Sequence, residues 1–124
     1  MALYPCAYSM TFNVTGDTLN AILNQRSQDM LTANNWNVCQ YAALLIMFAK
    51  STGFEPGELV HVIADAHIYD RHIDAVKRLI EKKPYPAPEM QVEDITDFYK
   101  FTKNSFTAVD YKYHEFTDKI PVAI

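Results

Sequence analysis

Apolar and polar residues alternate from the start of the chain. Tyr8, Met10, Phe12 and Val14 take every second position against Ser9, Thr11 and Asn13, so residues 7–14 read as a strand. Thr15-Gly16-Asp17 is a turn signal, and residues 19–23 read as a second, antiparallel strand. The polar run Asn24-Gln25-Arg26-Ser27-Gln28-Asp29 follows, too dense in hydrogen-bonding groups to be buried without purpose. Then the period changes. Asn34 or Asn35 can cap a helix reaching about Thr52, with Gly53 as its stop and Pro56 beyond. Trp36, Val38, Tyr41, Ala42, Leu44, Leu45, Met47 and Phe48 leave that helix almost no polar face, which predicts a central, covered position. Residues 58–69 read as a strand and residues 73–81 as an amphipathic helix, while Pro84, Pro86 and Pro88 mark an extended linker. Short strands are expected around residues 90–92 and 106–113, before an irregular tail. The predicted class is α+β, with antiparallel or mixed strands packed on a long buried central helix.

Composition narrows the function classes. The chain has 124 residues, 49% apolar and 21% charged, room for one domain with a modest core. No stretch reaches the ~20 apolar residues a membrane span needs, and the apolar run of residues 41–49 lies between Gln40 and Lys50. The formal charge is −4, and no Lys/Arg cluster is large enough to track a phosphate backbone, so neither a membrane nor a nucleic acid is expected as partner. Two cysteines and no export signal at the N-terminus suggest reduced thiols and a cytoplasmic setting.

Three groups of residues could carry chemistry. Cys6 follows Pro5 and precedes a strand; it is either a small buried hydrophobe or a nucleophile, and the nucleophile must be the thiolate. Cys39, within the apolar helix, reads as core. Gln25-Arg26-Ser27-Gln28-Asp29 is either a solvated loop or an anion site, since a guanidinium fork beside a hydroxyl suits a phosphate. An arginine near Cys6 would also depress the thiol's pKa. On one strand, His61, Ile63, Asp65, His67 and Tyr69 would share a face. Two imidazoles and a carboxylate there invite a zinc reading, and His67 with Tyr69 could instead hold a sugar hydroxyl. His72 and His114 read as surface residues.

The order of these groups is more specific than any one of them. Leu3-Tyr4-Pro5-Cys6-Ala7, Phe12-Asn13-Val14, Asn24-Gln25-Arg26-Ser27-Gln28-Asp29, Asn35-Trp36-Asn37-Val38, Asp65-Ala66-His67-Ile68-Tyr69 and Pro121-Val122-Ala123-Ile124 together resemble the thymidylate synthase signature over the whole chain. The resemblance implies that residues 1–124 are the C-terminal half of such a domain. It implies a methyltransferase that converts dUMP to dTMP with 5,10-methylenetetrahydrofolate as cosubstrate and without a metal. Cys6 would add to C6 of the uracil. Arg26 and Ser27 would bind the 5′-phosphate, Arg26 also favouring the thiolate. The backbone of Gln28 and Asp29, with Gln25 nearby, would line the nucleotide, and the Asp29 side chain would meet the folate pterin. Asn37 would pair with the uracil edge. His67, Ile68 and Tyr69 would surround the deoxyribose, and Ala33, Ala123 and Ile124 the folate. An amide matches uracil where a carboxylate would suit cytosine, so Asn37 favours dUMP over a dCMP hydroxymethylase.

Ala7, Ala33, Ala64 and Ala66 depart from the commonest family pattern without removing a catalytic group. The family's loop arginine over the phosphate, its water-organising glutamate, its folate-side tryptophans and two arginines lent by a partner subunit lie upstream of the matched portion. The resemblance therefore implies a homodimer in the full-length form and little or no turnover by this chain alone. A non-catalytic nucleotide-binding or interaction fragment is the alternative.

Overall fold

The computed structural model describes residues 4–121. The alternating N-terminal segment forms β1 (Ala7–Thr15), which turns through Gly16 and Asp17 into β2 (Thr18–Gln25). Gly16 sits at φ 59°, a left-handed conformation that only glycine takes without steric cost, and it closes the hairpin tightly enough to pair Thr15 with Thr18. After the short β3 (Gln28–Asp29) comes α1 (Asn34–Thr52), ended by Gly53 at φ 77°. β4 (Glu55–Ile63) then pairs parallel to β2, giving a mixed sheet in the order β1-β2-β4. β2 is its centre, and every second β2 residue is buried: Leu19, Ala21, Leu23 and Gln25. The core is Leu19 and Ala21 against Leu45 and Ala49 of α1, with Met10, Phe48, Phe54 and Leu59 around it.

Several expectations change. Neither Asn34 nor Asn35 caps α1: the N-cap is Ala33, and the Asn34 side chain accepts from Gln28 Nε2 at 3.4 Å instead. α1 crosses the sheet, but only Leu45 and Ala49 are fully buried, because three strands cover one side of it. Trp36, half a turn round from that stripe, is 81% exposed. Cys39 is exposed too, not core.

The single strand expected over residues 58–69 is two strands. β4 begins earlier, running through Pro56, which an edge strand accommodates near its start. It ends at Ile63, and β5 (Ala66–His67) resumes beside β3. A 3₁₀ turn at Asp70–His72 leads into α2 (Ile73–Ile80). β6 (Glu89–Val92) and β7 (Phe106–Val109) form a separate antiparallel pair. β7 stops short of Tyr113 because Asp110 turns into the left-handed region at φ 57°. The tail then runs back along α2, where Lys82 donates to the Glu115 carbonyl at 3.0 Å and Arg78 pairs with Asp118 at 2.8 Å. Among the described residues no helix is long and apolar enough to cross a membrane.

Candidate functional site

Two strands bend together to make the site. Past Gln25, β2 kinks at Arg26 and Ser27 before β3; past Ile63, β4 kinks at Ala64 and Asp65 before β5. The kinks are tied by Ala64 N donating to the Gln25 carbonyl (3.0 Å) and Gln28 N donating to the Asp65 carbonyl (2.9 Å). On the other side, Arg26 N donates to the Cys6 carbonyl at 2.8 Å, bringing the residue before β1 to the same end of the sheet. Backbone groups thus satisfy one another across the bends, leaving the side chains free to point into the gap. The gap is a cavity of about 210 Å³ lined by Cys6, Gln25, Ser27, Gln28, Asp29, Ala33, Asn37, His67 and Tyr69.

These side chains fall into two kinds. Gln25 and Gln28 are each only 2% exposed, and their amides are hydrogen-bonded inside the protein. Gln25 Nε2 donates to the Ser27 carbonyl (2.8 Å) and to Gln28 Oε1, while Gln25 Oε1 faces His61 Nε2 at 3.0 Å. By contrast, the Cys6 thiol, the Asn37 amide and the Tyr69 hydroxyl hydrogen-bond no described residue, and Cys6 is exposed. Those three can take a ligand without first breaking a bond.

Ser27 Oγ donates to Asp65 Oδ2 at 3.2 Å, and the same oxygen lies 3.3 Å from His67 Nδ1. The Tyr69 ring stands edge-on to His67, centroids 5.1 Å apart. Ser27, Asp65, His67 and Tyr69 therefore form one polar wall. Asp29 pairs with His67 where β3 meets β5 and lines the same cavity. Its Oδ1 accepts from Leu31 N (2.9 Å) and Thr32 N (3.2 Å), and its Oδ2 accepts from the Thr32 hydroxyl. Partial burial works against the charge, but the bonds from Thr32 and Leu31, with His72 nearby, outweigh it and hold the carboxyl below its ordinary range. The cavity thus contains a fixed anion suited to accepting from ring N–H groups.

Of the remaining expected residues, Arg26 is exposed and does not line the cavity: its guanidinium donates to the carbonyls of Tyr4 (2.7 Å) and Pro5 (3.3 Å). Those bonds clamp the approach to Cys6. Ile68 is 41% exposed and turned away from the lining. Ala123 and Ile124 lie outside the described residues. The zinc reading loses its geometry: the kink at Ala64 and Asp65 separates His61, bonded to Gln25, from His67, and no three metal-ligating side chains gather among the described residues.

Two residues matter here in ways the sequence did not suggest. Asp65 links Ser27 to His67 rather than serving a metal. His72, expected at the surface, is 3% exposed, with its Nε2 donating to the Pro121 carbonyl at 2.9 Å and its ring 5.6 Å from that of Tyr69. Tyr69 is extended and lies before the 3₁₀ turn, so no helical spacing marks His72 for burial.

The thymidylate synthase family model matches residues 1–124. The thymidylate synthase of Bacillus phage phi3T is 40% identical over 114 residues, covering 91% of this chain and 41% of that protein. The thymidylate synthase of Bacillus atrophaeus is likewise 40% identical over 114 residues, covering 91% of this chain and 50% of that protein. Among solved structures, thermostable thymidylate synthase A from Bacillus subtilis superposes with a TM-score of 0.90 at 38% identity, covering all of this chain and 44% of that one. The chain thus spans about half the length of the curated relatives it matches.

Proposed function

We propose a function on the premise that this chain belongs to the thymidylate synthase family: it carries the nucleophile and the nucleotide pocket of an enzyme that methylates dUMP to dTMP. The observation that supports this best is one cavity that gathers Cys6, Gln25, Ser27, Gln28, Asp29, Asn37, His67 and Tyr69, with the Cys6 thiol, the Asn37 amide and the Tyr69 hydroxyl free of hydrogen bonds to the described residues. Residues 1–124 correspond, in this reading, to the C-terminal portion of one thymidylate synthase domain.

The Cys6 thiolate adds to C6 of the uracil ring, which makes C5 nucleophilic. Asn37 offers an acceptor to N3–H and a donor to O4, a pattern that selects uracil over cytosine. Ser27 and Arg26 take the 5′-phosphate; the guanidinium must exchange its bonds to the Tyr4 and Pro5 carbonyls for the stronger charge-assisted ones. The Ser27–Asp65–His67 contacts and Tyr69 form the sugar wall, with Ile68 behind it and Gln25 and Gln28 as its floor. Asp29, kept ionised by its three hydrogen bonds, fits the donor edge of a pterin ring, with Ala33 and the terminal Ala123 and Ile124 completing the folate side. When bound, 5,10-methylenetetrahydrofolate supplies the one-carbon unit and the hydride. Loss of the C5 proton and expulsion of the Cys6 thiolate restore the 5,6 double bond and free dTMP. No metal has a role in this scheme.

The uncovered sheet face, where Ile22 and Val60 stand paired and exposed beside Val62, supports a homodimer. Two free cysteines suit a cytoplasmic setting. Turnover also needs groups that in this family lie upstream of the matched portion, so the isolated chain is expected to bind and add rather than to turn over. Calorimetric titration of dUMP and dCMP into the wild type and Asn37→Asp tests the pocket. The substitution is expected to move the dUMP-to-dCMP affinity ratio by at least about tenfold toward dCMP. An unchanged ratio would remove Asn37 from the base-reading role.

A further inference from the structure

A chain of hydrogen bonds, buried between Gln25 and Gln28 and part-buried toward its ends, runs along the cavity lining. It starts at His61 on β4, passes through Gln25 and Gln28, and ends at Asn34, the first residue of α1 and one turn before Asn37. Each amide in it could face two ways, and the bonds select one. Gln25 Nε2 donates to the Ser27 carbonyl at 2.8 Å and to Gln28 Oε1, so Gln25 Oε1 is left facing His61 Nε2 at 3.0 Å and must accept from it. Turning the Gln25 amide over would set its oxygen against two acceptors, the Ser27 carbonyl and Gln28 Oε1. Gln28, with Oε1 taken by Gln25, presents Nε2 to Asn34 Oδ1 at 3.4 Å.

Without a donor at position 61, a buried acceptor on Gln25 loses its partner, and a group 2% exposed has little water to replace it. The amide can then recover a partner only by shifting, which loosens its bond to Gln28 in turn. Coupled bonds of this kind tend to hold or fail together.

We infer that His61, which does not line the cavity, is a positioning residue: its donated proton satisfies the Gln25 Oε1 acceptor and so holds in place the Gln25 and Gln28 amides that line the nucleotide cavity. The nucleotide half of that statement rests on the function proposed above; the amide half does not.

The test uses the full chain as wild type, His61→Phe, which fills the space without a donor, and His61→Gln, which restores one. Hydrogen exchange of the side-chain amide protons is read by NMR, with the exposed Gln91 as internal reference. In the wild type the Gln25 amide protons should exchange at least about tenfold more slowly than those of Gln91, and the His61 proton should sit on Nε2. His61→Phe should abolish that protection and weaken dUMP binding about tenfold by calorimetry, while His61→Gln should recover both. Thermal melts of both variants separate loss of the amide chain from loss of the fold. Wild-type Gln25 protons exchanging as fast as those of Gln91 would overturn the inference. So would His61→Phe and His61→Gln variants with the same protection and the same dUMP affinity. Failure of the wild type to bind dUMP would sink the nucleotide reading, and the exchange data would still decide the role of His61.

Discussion

Asp29 bears on both the folding and the chemistry of the site, and its contribution can be estimated. Its carboxylate accepts from Leu31 N, Thr32 N and the Thr32 hydroxyl, fastening the turn that leads from β3 into α1. Hydrogen bonds to a charged acceptor contribute about 1.5–3 kcal/mol each when buried. Asp29 is half-buried and the bonds share one group, so about 2 kcal/mol for the set is reasonable. Asp29→Ala should cost about that at pH 7. Asp29→Asn should cost about 1 kcal/mol, since its oxygen still serves the two N–H groups and the Thr32 hydroxyl can turn to accept.

The pH dependence follows from the lowered carboxyl. A folded-state pKa below the unfolded one stabilises the fold above the ordinary carboxylate value of about 4. That contribution is lost as pH falls through the lower, folded value. Urea unfolding followed by tryptophan fluorescence and circular dichroism between pH 7 and pH 2.5 measures it. The gap between wild type and Asp29→Asn should be full at neutral pH and should close in the acid range. A gap that stays constant across that range would refute the argument, because no ionisation-linked stabilisation would then exist at Asp29. Thr32→Val supplies the check: combined with Asp29→Asn it should cost less than the two changes summed.

The two faces of β2 predict an asymmetry. Leu23, 1% exposed, should cost about 3 kcal/mol when replaced by alanine, whereas Ile22, 44% exposed, should cost under about 1 kcal/mol in dilute solution. Equal shifts in the urea midpoint would contradict the sidedness of the sheet, and a concentration-dependent loss in Ile22→Ala would locate the dimer contact. Gly57→Ala should destabilise by about 2 kcal/mol, because the added methyl would strike Asn20 Oδ1, which accepts from Glu58 N at 2.9 Å where the β2–β4 register shifts. A thermal midpoint equal to the wild type would show that the bulge gives way freely.

What was legible in the sequence was mostly local. The hairpin turned on Gly16, α1 ended at Gly53, and α2 followed its apolar stripe, because turn and cap chemistry lie within a few residues of the elements they bound. The paired kinks were not legible. They depend on hydrogen bonds between residues nearly forty positions apart, Gln28 to Asp65 and Ala64 to Gln25, and a period-two pattern runs through such a bend unchanged. For the same reason, one strand over residues 58–69 and a metal-binding face upon it were reasonable readings of a segment that breaks. Cys39 was misjudged because an apolar helix implies cover without saying which side the chain itself provides. At the site, the order of motifs named all nine residues that line the cavity. Only the fold showed that Gln25 and Gln28 bind each other while Cys6, Asn37 and Tyr69 stay open.

The central claim is that Cys6 is the nucleophile of a dUMP site. Intact-mass spectrometry after incubation with 5-fluoro-dUMP and 5,10-methylenetetrahydrofolate tests it most directly, since fluorine at C5 blocks the final elimination and traps the adduct. The account predicts a mass increase equal to both ligands, located on Cys6 by peptide mapping and absent from Cys6→Ser. An unmodified wild-type chain, or an adduct that persists in Cys6→Ser, would contradict it.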